Sequence, residues 1–376
     1  MTLFVSSSTC SRLFIRSAVV RRIFLMTMLF APCAEAAQGI ASSYVVNTLG
    51  TIHNPGSSAV VRRVNSLGEA VGGYKNGKKT SASDAFIVSA TAGFDHITDE
   101  EITDFSVLYG INEGGEVAGA INGPTSMLPF RAVRHTAFQL LTLLNQDTNG
   151  AAYGINDKGE SVGFSGGTTG TSAVWWTKKG DVSELPHLQG FAPTKAVHIN
   201  TKGDIVGYAG DATKTAVLWP SKGNILALDT LFSYTSSQAE SLNDAGDVVG
   251  SATAFDNTAV RMRAVLWTAG SSIPLDLGAL PGGSNSRARD VDANGVVVGT
   301  SDIPNGNRAF IWSQATGIKD LNSLTNNPAI VLIDALSINK KGEILALGID
   351  KSDFSTDGEN EEHELPRRIV LLSPSK

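Results

Sequence analysis

The sequence predicts an all-β fold, a seven-bladed β-propeller with four antiparallel strands per blade, on three observations. A nine-residue motif recurs seven times at blade-like spacing, further landmarks follow it within each unit, and the chain termini are out of phase as a closed ring requires.

The motif first appears as Val64-Asn65-Ser66-Leu67-Gly68-Glu69-Ala70-Val71-Gly72. It returns headed by Asn112, Asn156, Asn200, Asn243, Asp292 and Asn339, at spacings of 47, 44, 44, 43, 49 and 47 residues. The last copy ends in Ala346 instead of glycine. Asn or Asp at the first turn position bonds the backbone that follows, and Gly three residues on accepts positive φ. The spacing therefore predicts a type I turn with a G1 bulge, a structural role for all seven polar residues.

A second landmark lies about 20 residues further on. Ala173-Val174-Trp175-Trp176, Ala216-Val217-Leu218-Trp219, Ala264-Val265-Leu266-Trp267 and Ala309-Phe310-Ile311-Trp312 show it best, with weaker forms around Ala85, Ala132 and Ile369. Because Trp176, Trp219, Trp267 and Trp312 recur at one strand position, they read as packing between blades, not as sugar-stacking residues. A third landmark, clearest in Leu275-Asp276-Leu277-Gly278, supplies the fourth strand.

The termini give an independent check. Thr48-Leu49-Gly50 resembles Asp276-Leu277-Gly278, an outer strand without a blade of its own, whereas the last unit stops after its third strand. A strand around Val45 to Leu49 should thus complete the last blade and remove its exposed edge. A linear solenoid would instead want polar caps at both ends.

Ahead of the repeats, Arg12, Arg16, Arg21 and Arg22 precede the apolar run Ile23 to Ala31 and the small-residue site Ala34-Glu35-Ala36. That order predicts a secretory signal peptide over residues 1–36 and a propeller domain over 37–376, exported to the periplasm or the medium without a transmembrane span. The pair Arg21-Arg22 followed by Ile23-Phe24-Leu25 leaves general or twin-arginine export open. Both cysteines, Cys10 and Cys33, fall in the segment to be removed, so no disulfide or thiolate chemistry is expected of the domain. Cleavage would also shift the formal charge from 30 − 36 = −6 to 26 − 35 = −9, which argues against a nucleic acid partner.

Taken together, I-N-x-x-G-x-V-V-G, R-A-F-x-W and D-L-G-x-L-P-G-G resemble the HAF-type extracellular repeat family of bacterial exported proteins. The likeness covers nearly all of the chain after residue 36, is sharpest over 237–323 and is looser in the first two units and the last. It implies export and a repeat fold, and brings no catalytic residues with it.

The six histidines show no metal-binding spacing, and no nucleophile elbow, P-loop or dinucleotide glycine motif occurs. The chain therefore reads as non-catalytic, with no cofactor expected beyond a candidate calcium ion. The variable loops opposite the Asn-x-x-Gly turns are the expected recognition surface, with Tyr74, Phe232, Tyr234 and Phe255 as their aromatics. Three function classes stay open: a module binding an unknown protein or glycan outside the cytoplasm, a carbohydrate-active enzyme using the propeller channel, and a structural envelope component. The calcium candidate lies in the acidic stretch of the last unit, where Asp353, Ser355, Asp357, Glu359 and Glu364 follow the spacing of a calcium loop with Gly358 at its sixth position. A solvated acidic insertion has the same composition.

Overall fold

The computed structural model describes residues 39–53, 59–75, 83–97, 106–123, 126–134, 138–168, 170–255, 260–354 and 365–375. The expected signal peptide lies outside them. The described residues form seven four-stranded antiparallel sheets, and six of these run through four strands consecutive in the chain. The innermost strand is the one before each Asn: Val60–Val64, Ser106–Ile111, Asn149–Ile155, Thr194–Ile199, Ser236–Leu242, Ser286–Val291 and Ile330–Ile338, in blades 1 to 7. Each approaches the next around the ring, and that of blade 7 returns to that of blade 1. Among the described residues no helix is long and apolar enough to cross a membrane.

Blade 7 closes as the terminal phase shift predicts. Its outer strand is Tyr44–Ile52, paired antiparallel with Arg367–Pro374 from Tyr44 opposite Pro374 to Ile52 opposite Arg367. Leu49 and Ile52 are buried in one apolar cluster with Val61, Phe86 and Val88 of blade 1 and Leu345 and Ile369 of blade 7. The N-terminal strand thus seals a sheet edge and an inter-blade interface together.

All seven Asn-x-x-Gly segments form the predicted turns, with glycine φ between +73° and +101°. Beside each turn the inner strand carries a bulge, a register shift three residues before the Asn or Asp, as between Leu108 and Gly110 or Ala239 and Ser241. The bulge explains the glycine that ends the motif. In blades 1 to 6 a Cβ on Gly72, Gly119, Gly163, Gly207, Gly250 or Gly299 would lie 1.9–2.1 Å from a carbonyl oxygen of the bulged strand. Blade 7, where Ala346 takes that place, has a second register shift between Leu332 and Asp334.

Trp176, Trp219, Trp267 and Trp312 are buried. The first three donate from Nε1 to the carbonyls of Thr142, Pro186 and Asp229, each in the segment joining the preceding blade to their own, at 2.7–2.9 Å. That is the packing role their recurrence implied. Hydroxyls reinforce it: the amides of Ala85, Ala173, Ala216 and Ala264 donate to Ser106, Thr194, Ser237 and Ser286 of the following blade.

Candidate functional site

The ring surrounds a channel, and the bulge decides what faces it. Because two residues of the bulged strand oppose one on its partner, consecutive side chains turn toward the axis. Three residues before the turn Asn or Asp stand Arg62, Tyr109, Tyr153, Val197, Glu240, Arg289 and Leu336, one per blade, and all seven line a cavity of about 250 Å³. The positions on either side of this pair are apolar in all seven units and hold the sheets together, whereas the pair itself, where the backbone faces the lumen, varies from blade to blade.

One wall of the cavity is aromatic. Tyr109 and Tyr153 meet edge to face at 4.9 Å between ring centres, Tyr153 also packs against Phe164, and Tyr208 completes the lining. Burial raises the pKa of all three tyrosines, so their hydroxyls stay protonated and available for hydrogen bonds.

The other wall is charged. Arg63 pairs with Asp290 at 2.7 Å, Arg289 with Asp334 at 2.7 Å, and Arg287 with Glu240 in close contact. Burial opposes ionisation of Glu240 and Asp290, yet Arg287 and Arg63 respectively hold both below the usual carboxylate range. Asp290 also accepts from Ser241 at 2.6 Å, from Ser337 at 2.8 Å and from the Ile338 amide at 3.0 Å. Four arginines here face three carboxylates. Among the described residues none of those carboxylates forms an ion pair with Arg62, which lines the channel and whose pKa is lowered first by desolvation and then by Arg289, with Glu240 acting against them.

Toward the turn face the channel passes His198, whose Nδ1 accepts from the Leu242 amide at 3.3 Å and faces Ser241 Oγ at the same distance. Desolvation, with Arg63 beside it, drives the His198 pKa well down, so the ring is neutral. Ser241, His198 and Asp290 are a hydrolase-like trio in composition only. Ser241 is completely buried and donates to Asp290, which leaves the histidine no proton to receive from it. At the turn face itself Lys340 of blade 7 reaches Asp157 of blade 3 at 3.0 Å and Glu113 of blade 2 at 3.7 Å, bridging the mouth.

The turn Asn residues serve structure, as their spacing predicts, and do more than shape turns. Nδ2 of Asn65, Asn112, Asn156, Asn200 and Asn243 donates to the backbone carbonyl of the homologous residue in the next blade, at 2.9–3.3 Å. The other N–H goes to the acid after the glycine: Glu69, Glu116, Glu160, Asp204 or Asp247. Asn339 does the same across the ring closure, to Asn65 and Glu343. In blade 6 both partners change together: Asp292 has no N–H to give, and Val296 replaces the acid. That paired exchange was visible in the repeat alignment.

The aromatics expected to form a loop-face site do not come together as a stacking platform. Tyr74 packs within the blade against Phe86, Phe94 and His96, and Tyr234 lies under Arg261. Phe232 is 97% exposed and Phe255 55%, with no ring contact to either tyrosine. Of the calcium candidates, Asp353 pairs with Arg368 at 3.0 Å, while Ser355, Asp357, Glu359 and Glu364 lie outside the described residues.

Ring closure, blade count and the lined channel define a seven-bladed β-propeller with an interior polar site. No protein family and no curated protein matches the chain. Among solved structures it is similar to a puromycin hydrolase, with a TM-score of 0.53 and 10% identity over 83% of this chain and 53% of that one. It is similar also to a streptogramin B lyase, with a TM-score of 0.50 and 9% identity over 90% of this chain and the whole of that one. For TolB from Acinetobacter baumannii the TM-score is 0.45 at 11% identity, covering 65% of this chain, which spans 61% of TolB's length. At such identities the likeness is one of fold, and a shared fold does not carry chemistry with it.

Proposed function

We propose that this chain is an exported, non-catalytic propeller of the HAF-type repeat kind that binds a ligand outside the cytoplasm through its central channel. One observation carries the reading. The position three residues before each turn takes five residue types in seven units, within a pair whose flanking positions are apolar in all seven, and it is where every blade contributes a side chain to one cavity. A scaffold repeated seven times with a non-repeating lining is how a fixed fold acquires a specific site.

The lining favours binding over acid–base catalysis. Glu240, Asp290 and Asp334 serve as counter-ions to arginines, and His198 uses Nδ1 to accept a backbone amide. A glycosidase needs one carboxyl group held protonated near neutrality beside an ionised partner, and the shifts of Glu240 and Asp290 both run downward.

The test is capture from envelope and culture-medium fractions on immobilised protein, wild type beside Arg62→Gln, followed by a glycan array. A ligand held by wild type and lost from the variant is the expected result. Equal capture by both places recognition elsewhere on the ring and overturns the channel reading. Turnover of a captured glycan overturns the non-catalytic one.

A further inference from the structure

We infer that the half of the channel away from the Asn-x-x-Gly turns is a site for a monocarboxylate borne on a hydroxylated ring, the chemistry of a uronic acid. This rests on the channel being the ligand site. The argument starts from charge. Arg63, Arg287 and Arg289 are each matched by a carboxylate, whereas Arg62 ends in the same cavity without one. Desolvation and repulsion by the neighbouring Arg289 and Arg287 disfavour its charge, and Glu240, already engaged by Arg287, offsets this only in part, so among the described residues the guanidinium has no ion-pair partner of its own. A planar fork of donors fits a carboxylate in two parallel hydrogen bonds, and a bound anion would relieve that repulsion.

Glu240 sets the charge of the guest. It stands in the same ring of side chains as Arg62 and already occupies Arg287. A single added negative charge balances Arg62, while a dianion such as phosphate would meet Glu240 with a charge to spare. The rest of the guest is read from the opposite wall. Tyr109 and Tyr153 offer ring surface together with protonated hydroxyls, Tyr208 adds a hydroxyl while Lys214 covers a face of its ring at 4.3 Å, and Gln238 adds an amide that already donates to Glu240 at 2.8 Å. Aromatic faces beside hydrogen-bonding groups suit a sugar ring, apolar across its C–H face and polar at its edge. The cavity, about 250 Å³, lies below the usual range for drug-sized ligands and suits a single small ring or the end residue of a chain.

Calorimetric titration of the protein with galacturonate, galactose and inorganic phosphate tests the inference. Galacturonate should bind saturably and galactose should give no heat. Arg62→Gln should weaken galacturonate by about tenfold or more, as expected for loss of a charge-assisted pair of hydrogen bonds, without lowering the melting temperature of the free protein. Arg62→Lys, which keeps the charge and loses the fork, should fall between, and Tyr153→Phe should weaken binding without abolishing it. Galactose binding as well as galacturonate, or Arg62→Gln binding as wild type does, overturns the site. Phosphate binding tighter than galacturonate overturns the carboxylate assignment. If galacturonate fails while a captured envelope ligand is still lost in Arg62→Gln, the ligand class is wrong and the channel reading stands; if capture is also indifferent to Arg62, both fall.

Discussion

The side-chain amide of Asn339 donates to the backbone carbonyl of Asn65 at 3.0 Å, joining residues 274 positions apart and closing a belt of inter-blade hydrogen bonds. The belt has six links of this kind. The seventh, from blade 6 to blade 7, is missing because Asp292 carries a carboxylate where a donor is needed.

Asp292→Asn should therefore stabilise the protein, by about 0.5–1.5 kcal/mol for one added buried hydrogen bond. The gain has a pH signature. Burial raises the Asp292 pKa, so the folded state takes up its proton more readily than the unfolded chain does. The stability tied to this group is fully present below the unfolded pKa and is lost as pH rises through the folded one. At neutral pH wild type has lost it, and at acid pH it has not. Urea midpoints should accordingly separate the two proteins more at pH 7 than at pH 4, and no separation at pH 7 would show that the belt contributes nothing there.

The glycine that ends the motif is required by the bulge, so Gly250→Ala should destabilise strongly. Its Cβ would sit 2.0 Å from the Gln238 carbonyl oxygen, a contact with backbone that no rotamer change relieves. A loss of about 2–3 kcal/mol is expected, at the upper end for overpacking. Ala346→Gly in blade 7 should lose only about 1–1.5 kcal/mol, the backbone entropy of one glycine together with the burial of one methyl group. Thermal melting of both variants checks the contrast, and equal losses would detach the glycine from the bulge.

These repeating features were legible because many copies had to meet the same local constraint: positive φ at Gly68 and its equivalents in all seven, close approach at Gly72 and its equivalents in six, Trp burial at Trp176 and its equivalents in four. The N-terminal strand was legible for a related reason, since Thr48-Leu49-Gly50 matched an outer strand that its own end of the chain did not need. The channel site was not. Arg62, Tyr109, Val197, Glu240 and Leu336 occupy one column of the repeat and are five different residue types, so alignment passes over them, and the ion pairs joining Arg63 to Asp290 or Arg289 to Asp334 depend on distances across a ring. Variety within a column flanked by constant apolar positions is the trace they leave.

Removing residues 39–52 should open blade 7. The deletion exposes Arg367–Pro374 as a free edge and takes Tyr44, Leu49 and Ile52 out of the core, together worth on the order of 5 kcal/mol of apolar burial. The truncated chain should melt far lower and associate through the open edge. A synthetic peptide spanning residues 39–53 should restore the melting temperature by re-pairing with that edge. An unchanged melting temperature, or no response to the peptide, would mean the strand is a passive extension.

His198 makes stability fall on the acid side of neutrality. Desolvation first and then Arg63 leave the imidazole neutral in the folded protein, with its pKa well below the ordinary value of 6.5. For such a depressed group the unfolded chain binds a proton that the folded one refuses, so its stabilising contribution is complete above the unfolded pKa and drains away as pH falls toward the folded one. Asp290 faces the same imidazole, and its own depressed pKa removes stability lower still, as its ion pair with Arg63 is protonated away. His198→Asn retains an acceptor for the Leu242 amide and removes the titration. Between pH 6.5 and about 4, chemical denaturation should show wild type losing stability more steeply than the variant, with the two converging in slope above pH 7. Parallel curves throughout would mean that the folded channel protonates His198 as readily as water does, and that the neutral imidazole between Arg63 and Asp290 is not the native state.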